Sequence, residues 1–157
     1  MRPYKDDIPG LDRAAVFTWC NSSKLSVTLD LKKPNGEEVR RRLAKWADIM
    51  INGFPPGTMI KLGLDYESVK KVNSKIIYFS TCVAGQYGPL ATFRAYGHQV
   101  AALAGVSELI GWPDREPSGV PFAYTDWINP RFGVSAIIAA LDYQRRTGKG
   151  QSIDQSQ

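Results

Sequence analysis

Histidine and cysteine are scarce in this chain, which has one histidine and two cysteines among 157 residues. Structural zinc sites and disulfide frameworks are built from clusters of these residues. Cys20 and Cys82 stand far apart in the sequence, and His98 is the single histidine. The sequence therefore predicts no metal site and two reduced thiols.

Long apolar runs are absent as well. No window approaches the roughly 18 consecutive apolar residues of a membrane-spanning helix. Residues 1–7 (MRPYKDD) lack the apolar core of a signal peptide. We therefore expect a cytoplasmic protein that does not associate with membranes.

The composition is that of a folded domain with a modest basic surplus. Hydrophobic residues make up 43% of the chain and charged residues 22%, which suffices for one domain with a core. The formal charge is +5, and the basic residues are spread along the chain. The arginines of residues 40–42 would fan over about 200° of a helix, because successive residues are about 100° apart. We predict a solvated helix face there. A phosphate-bearing small molecule explains the surplus as well as nucleic acid does, and no nucleic-acid partner is expected.

Strands and helices are predicted to alternate along the chain. The predicted strands are residues 26–31, 48–52, 75–80 and the start of another at 152–156. Four helices are predicted: one that begins at residue 34, one that follows Gly57 and ends at about residue 73, one from about 96 to 109, and one from about 127 or 129 to 146. Such alternation forms parallel βαβ units, whose ligands bind at the carboxyl ends of the strands. We therefore predict an α/β fold, a parallel sheet with flanking helices, and ligand-binding loops after Asn52 and Ser80.

Helical periodicity predicts which side chains face the core. The predicted inward residues are Val39, Leu43 and Trp46 or Ala47 in the first helix, and Phe132, Ile137 or Ile138, and Leu141 in the last. Gly148 is predicted to form the C-terminal turn of the last helix. Residues 1–20 show no clear period and are predicted to be a loop or lead-in.

Asp126 is the candidate catalytic residue, because it stands at the entrance to the longest apolar helix. The unpaired amide groups and the positive dipole end of a helix stabilise a carboxylate there, and where water is excluded the carboxylate becomes a nucleophile. Capping the helix is the commonest structural role of an aspartate in this setting. If Pro130 is the first helical residue, Asn129 is the cap and Asp126 lies in the approach loop.

Several segments, taken together in order and spacing, carry a family resemblance. They are residues 21–36 (NSSKLSVTLDLKKPNG), 47–57 (ADIMINGFPPG), 63–64 (GL), 73–80 (NSKIIYFS), 85–89 (GQYGP), 124–126 (YTD) and 146–154 (RTGKGQSID). Each alone is weak. In this order and spacing, from residue 21 to residue 154, they make the chain resemble the family III coenzyme A transferases.

The resemblance implies a fold and an activity. It implies a Rossmann-like large domain, here incomplete, of an enzyme whose two subunits interlock as rings, so that the full-length protein is expected to be a homodimer. In this family the aspartate that matches Asp126 takes the acyl group of an acyl-CoA as a mixed anhydride. An enzyme–CoA thioester then passes CoA to a small carboxylic acid. CoA exchange between two carboxylates is nearly isoenergetic, and a carboxylate nucleophile in a sequestered site preserves the activated bond.

The resemblance also implies where CoA binds and how the chain is divided. The family's CoA contacts match Leu29, Phe54, Lys61 and Arg94. A planar aromatic can hold the adenine and a cation can meet the phosphates. Residues 1–20 are then a lead-in segment and residues 21–157 a partial large domain. The family's first strand and its C-terminal half are expected to be missing.

The chain departs from the family pattern at two positions near these sites. Gly53 stands where an asparagine is usual, which removes a side-chain contact to CoA. Pro130 stands where a glycine is usual.

Two alternatives to CoA transfer remain open. CoA-thioester racemases of the same superfamily pair a histidine with an aspartate to move the α-proton. Counting back from Gly105 puts Tyr96, and not His98, at the racemase histidine's position. The other alternative is a truncated chain that only binds CoA or folds against a partner. That alternative predicts exposed apolar surface and self-association, because three strands with uncovered edges cannot bury both faces.

Overall fold

The computed structural model describes residues 3–31 and 33–157, and the chain forms two compact units, Met1–Asp30 and Leu31–Gln157. The first unit contains two 3₁₀ turns, Lys5–Asp7 and Leu11–Arg13, and helix α1, Ala15–Cys20. The division predicted at residue 20 stays a prediction.

The lead-in segment is more ordered than its sequence indicates. Arg13 closes the two turns onto each other: its side chain donates to the carbonyl oxygen of Lys5 at 2.7 Å and to Oδ2 of Asp6 at 2.9 Å. Hydrogen bonds between a side chain and distant backbone have no sequence period, so the prediction of a loop was wrong for α1 and for the turns.

The strand predicted at residues 26–31 is not formed. Residues 24–30 carry neither strand nor helix, and Leu25 and Val27 are exposed. The alternating pattern was genuine, but a strand also needs a neighbouring strand to receive its hydrogen bonds. No strand among the described residues pairs with this segment.

The second unit is an α/β layer structure, which confirms the predicted fold class. Its elements are α2 (Pro34–Trp46), β1 (Ile49–Asn52), α3 (Thr58–Lys61), α4 (Tyr66–Val72), β2 (Ile77–Cys82), α5 (Gly97–Leu103), a 3₁₀ helix (Val106–Leu109), α6 (Tyr124–Thr147) and β3 (Gln151–Ser156). The helix predicted at 96–109 is interrupted at Gly105, whose φ of 78° lies in the left-handed region. None of the helices in the described ranges has the length and apolarity that a membrane span requires.

The sheet has the order β1-β2-β3, and both pairings are parallel. The first half of the central strand β2 is apolar because it is covered on both faces: Ile77 has no exposed surface, Tyr78 and Phe79 are buried, and Ile76 just before the strand has no exposed surface either. Because the strands are parallel, their carboxyl ends lie at one edge. This edge is where the candidate ligand-binding loops begin.

Helix α2 faces the core with a different side from the one predicted. Its buried residues are Gly36 and Ala44, whereas Trp46 is 81% exposed and Val39 and Leu43 are also exposed. The small residues face inward because α2 packs closely against α4. The prediction was wrong for Val39, Leu43 and Trp46, whereas Ala47, the predicted alternative to Trp46, packs against the core.

Helix α6 also buries small residues where a large apolar one was predicted. Its buried residues include Asn129, Gly133 and Ala140, while Phe132 is 65% exposed and Ile138 is exposed. Ile137 and Leu141 are half-buried, as predicted. A β-carbon at position 133 would lie 2.9 Å from the tip of the Phe79 ring, so the closeness of α6 to the sheet requires glycine there. Gly148, with φ of 72°, ends the helix as predicted.

This close approach predicts that Gly133→Leu destabilises the protein. The added side chain must displace the buried Phe79 ring, which we expect to lower the free energy of unfolding by about 2–3 kcal/mol despite leucine's better helix propensity. Ala139→Leu, on the exposed side of the same helix, should change it by less than about 0.5 kcal/mol. Urea unfolding followed by circular dichroism measures both. Equal stability of the two variants would contradict the packing described here.

Candidate functional site

A cleft of about 710 Å³ opens at the carboxyl edge of the sheet. This volume lies within the range of roughly 300–1,000 Å³ that is usual for small-molecule sites. Its walls come from the loops after β1 and β2, from residues 91–96, from the first turn of α6 and from the end of β3. Both loops predicted to bind a ligand therefore contribute to one cleft.

The loop after β1 is held in place from both sides of Phe54. Asn52, buried at the end of β1, donates to Ser80 Oγ of β2 at 3.0 Å, and its Oδ1 accepts the Phe54 amide at 3.3 Å. From the loop after β2, Gln86 Nε2 donates to the Phe54 carbonyl oxygen at 3.0 Å. The two loops are thus tied to each other and to the sheet.

Asp126 lies on the wall of this cleft, in the first turn of α6. Gln157 Nε2 donates to Oδ1 of Asp126 at 2.7 Å. On the other side, a β-carbon at Gly97 would lie 2.9 Å from Oδ2 and 3.0 Å from Cγ. Only a glycine therefore allows α5 to lie so close to this carboxylate. The side chain is exposed among the described residues, so the sequestered position expected from the sequence is not formed by them.

The helix begins before Asp126, which corrects the expected role of Pro130. Helix α6 starts at Tyr124, and Pro130 lies inside it. Proline has no amide hydrogen, so Asp126's carbonyl oxygen loses the helical hydrogen bond that residue 130 would otherwise give. Asp126 is therefore a first-turn residue, near the positive end of the helix dipole, and not part of an approach loop.

Polar contacts one turn later attach α6 to the sheet. Asn129 is buried; its Nδ2 donates to Thr81 Oγ1 of β2 at 3.0 Å. Gln155 of β3 donates to the carbonyl oxygen of Asn129 at 3.1 Å and also contacts its side-chain oxygen. These contacts fix the height of α6 above the sheet and so the position of Asp126 on the cleft wall.

Of the four predicted CoA contacts, Arg94 lines the cleft, Phe54 lies next to lining residues, and the other two do not line it. Arg94 lines the cleft together with Asp126. The Phe54 ring is 46% exposed, and its neighbours Gly53, Pro55 and Pro56 line the cleft. Lys61 is exposed at the end of α3 and is not among the lining residues, and Leu29 belongs to the other compact unit.

Sequence reasoning overlooked part of the cleft wall, including Tyr96, Cys82 and Gln157. Cys82 ends β2 and Gln157 directly follows β3, so both lie at the edge where the carboxyl ends of parallel strands meet. The predicted strands stopped at residues 80 and 156. His98 is exposed on α5 and is not a lining residue, whereas Tyr96 is. The described residues hold no group of three or more side chains suited to bind a metal ion.

Cys82 is a protonated thiol at the end of β2. Burial raises the pKa of this thiol, and the charge of Asp154 raises it further against opposing hydrogen bonds. The thiol donates to the carbonyl oxygen of Gly85 at 3.0 Å. Since the thiolate is the nucleophilic form, Cys82 is a poor nucleophile at neutral pH.

The raised pKa predicts slow alkylation of Cys82. Its thiolate fraction at pH 8 is smaller than that of an ordinary cysteine, by about tenfold for each unit of upward shift. We expect iodoacetamide to modify the exposed Cys20 first, and Cys82 to become reactive only as the pH rises above 9. Peptide mass spectrometry over a pH series measures both, with Cys20→Ser as the control. Equal rates at pH 8 would refute the assignment.

Known proteins are similar to nearly all of this chain. The sequence model of CoA-transferase family III matches residues 1–157. The chain is 40% identical over 141 residues to the succinate–glutarate CoA-transferase of Agrobacterium fabrum, covering 90% of this chain and 35% of that protein. It is 36% identical over 146 residues to the acetyl-CoA:oxalate CoA-transferase of Acetobacter aceti, covering 92% of this chain and 38% of that protein. The chain thus spans about a third of the length of these curated relatives.

Structural similarity agrees with the sequence matches. The crystal structure of a CAIB/BAIF family protein from Brucella suis superposes with a TM-score of 0.85 at 41% identity, covering 92% of this chain and 38% of that one. The chain belongs to the family III coenzyme A transferases.

Proposed function

We propose that this chain carries the acyl-accepting site of an enzyme that transfers CoA from an acyl-CoA thioester to a free carboxylic acid. The observation that supports this most is the Asp126 carboxylate on the wall of a cleft that also holds Arg94, at the carboxyl edge of a parallel sheet. A carboxylate acts as the nucleophile, and a cation in the same cleft attracts the anionic substrate. The expected product of the first step is an aspartyl mixed anhydride.

In this mechanism, Asp126 attacks the carbonyl carbon of the acyl-CoA, and CoA leaves as a thiolate. The thiolate then attacks the aspartyl carbon of the anhydride, which releases the donor's acid as a carboxylate and leaves an enzyme–CoA thioester. A second carboxylic acid takes CoA by the reverse sequence. Every intermediate keeps an activated acyl bond, so no other energy source is needed. The exposure of Asp126 in this structure implies that further protein surface must shield the anhydride from water.

Arg94 is proposed to bind the CoA phosphates, since its side chain lies in the cleft and its charge is retained relative to the family pattern. The half-exposed Phe54 ring is proposed to contact the adenine. Lys61 and Leu29 remain proposed CoA contacts that rest on the family resemblance alone. We also retain as proposals the homodimer, the cytoplasmic location and a small carboxylic acid as acceptor.

Racemisation of an acyl-CoA is less well supported by the geometry. A general base must come within hydrogen-bond reach of the α-proton. His98 is not among the cleft-lining residues, whereas Tyr96 and Gln99 are, and neither of these carries an imidazole.

The proposed nucleophile predicts that Asp126→Asn abolishes transfer. The amide keeps the shape of the side chain and removes the attacking oxygen anion, so we expect kcat to fall at least about 1,000-fold. Transfer is measured with succinyl-CoA and glutarate, and with acetyl-CoA and oxalate, by chromatography of the CoA esters. Hydroxylamine trapping followed by peptide mass spectrometry should modify residue 126 in the wild type.

The control for this substitution is Asp142→Asn, on the same helix, where the carboxylate is exposed and paired with Arg146 at 2.8 Å; it should retain full activity. Transfer that survives Asp126→Asn would contradict the proposal. If the protein instead exchanges the α-proton of an acyl-CoA and His98→Gln abolishes that exchange, the racemase alternative is favoured.

A specific observation also keeps the partner-dependent alternative open. Val39, Leu43 and Trp46 form an exposed apolar stripe along α2, and burying such a stripe favours association. We expect this chain to self-associate in analytical ultracentrifugation and Trp46→Lys to weaken the association at least tenfold. Lys45→Gln, the neighbouring exposed position, is the matched control. A monodisperse monomer at high concentration would count against this alternative.

A further inference from the structure

We propose that Gln157 is a catalytic hydrogen-bond donor that directs CoA onto the side-chain carbon of Asp126. This inference rests on the proposed function and concerns its second step. It is carried by the contact between Gln157 Nε2 and Oδ1 of Asp126, at 2.7 Å, and by the different surroundings of the two carboxylate oxygens.

The backbone of Gln157 is held in place by hydrogen bonds to residues at the end of β2. The last register pair of β2 and β3 is Cys82 with Ser156. Immediately beyond it, the amide of Gln157 donates to the carbonyl oxygens of Cys82 at 3.1 Å and Val83 at 3.2 Å. The donor is therefore held before any substrate binds, which is the property that makes a catalytic dipole effective.

The two oxygens of Asp126 have different neighbours. Oδ1 accepts the hydrogen bond from Gln157. Oδ2 lies close to Gly97, where a β-carbon would be only 2.9 Å away, and no side chain of the described residues donates a hydrogen bond to it. Because Oδ1 is held by the Gln157 donor, the geometry makes Oδ2 the attacking oxygen and Oδ1 the oxygen that stays on the enzyme.

The second step converts the anhydride to the enzyme–CoA thioester. After the first step, Oδ2 bridges the acyl carbon and Cγ of Asp126. The CoA thiolate attacks Cγ, a carbon–sulfur bond forms, and negative charge develops on Oδ1. The Cγ–Oδ2 bond then breaks, and the donor's acid leaves as a carboxylate that carries Oδ2. The enzyme retains CoA as a thioester whose carbonyl oxygen is Oδ1.

A mixed anhydride offers two carbonyl carbons to the thiolate. Attack at the acyl carbon regenerates the starting acyl-CoA, whereas attack at Cγ moves the reaction forward. In attack at Cγ the whole oxyanion forms on Oδ1, whereas in attack at the acyl carbon the charge of the leaving Asp126 carboxylate is shared between Oδ1 and Oδ2. An N–H donor 2.7 Å from Oδ1, a distance typical of oxyanion donors, therefore stabilises attack at Cγ more. Gln157 thus favours the productive direction.

The test compares transfer with hydrolysis in the full chain. Gln157→Leu keeps the size of the side chain and removes the donor. We expect the transfer kcat and the rate of forming the CoA thioester on residue 126 to fall about 100-fold, while KM for acyl-CoA changes less than about twofold. The anhydride should still form and be lost to water, so release of CoA from succinyl-CoA without acceptor should stay within about threefold of the wild type. Gln151→Leu, the same substitution at the opposite end of β3, is the matched control.

A second variant provides a pH signature that a structural role would not produce. Gln157→Glu keeps the shape but places an acceptor against Oδ1; its carboxyl group can donate only when protonated. The ratio of transfer to hydrolysis in Gln157→Glu should therefore rise as the pH is lowered from 7 towards about 5, nearer the carboxyl pKa. The ratio in Gln157→Leu should not change over this range.

Three results would overturn the inference. The first is unchanged transfer in Gln157→Leu, and the second is an equal loss of transfer and hydrolysis in that variant. The third is a flat pH dependence of the ratio in Gln157→Glu. Failure of the proposed function is recognised separately, because wild-type protein would then form no CoA thioester on residue 126.

Discussion

The parallel pairing of β3 with the central strand β2 is the constraint on which the site depends. The register runs from Ile77 opposite Gln151 to Cys82 opposite Ser156, so the two strands end together. Their last residues and the loop after β1 then meet at one edge of the sheet. A shift of one residue would turn the side chains of β3 to the opposite face and remove Gln157 from Asp126.

The cleft is built by polar contacts between backbone elements that the apolar core has already aligned. Asn52 and Ser80 join β1 to β2, and Asn129 joins α6 to Thr81. Each of these groups is buried or half-buried, where a missing hydrogen bond costs about 1–3 kcal/mol. The same contacts that hold the fold together therefore also set the position of the Asp126 carboxylate. This explains how an exposed side chain can still have a defined orientation, with one oxygen against Gln157 and the other beside Gly97.

Local patterns predicted the elements well and their packing less well. The apolar run of β2, the Pro34 helix start and the Gly148 helix end were all correct, because each depends on a few neighbouring residues. The inward faces of α2 and α6 were wrong in part. Periodicity favours large residues such as Trp46 and Phe132 as core, but these helices approach their neighbours through Gly36, Ala44 and Gly133. Where two elements lie close together, small residues are needed at the contact. The periodicity of a single helix does not reveal how close its neighbours will be.

The sequence by itself determined the α/β class, the alternation of strands and helices from Pro34 onward, and the aspartate at the helix entrance, because these follow from local periodicity, turn residues and matched motifs. Only the tertiary structure decided that Arg94 and Asp126 share one cleft, that Pro130 lies within α6, and that Gln157 and Gly97 flank the carboxylate. Those facts depend on contacts between residues far apart in the chain. Such contacts arise from the parallel ladder and the close approach of helices, which no single segment specifies.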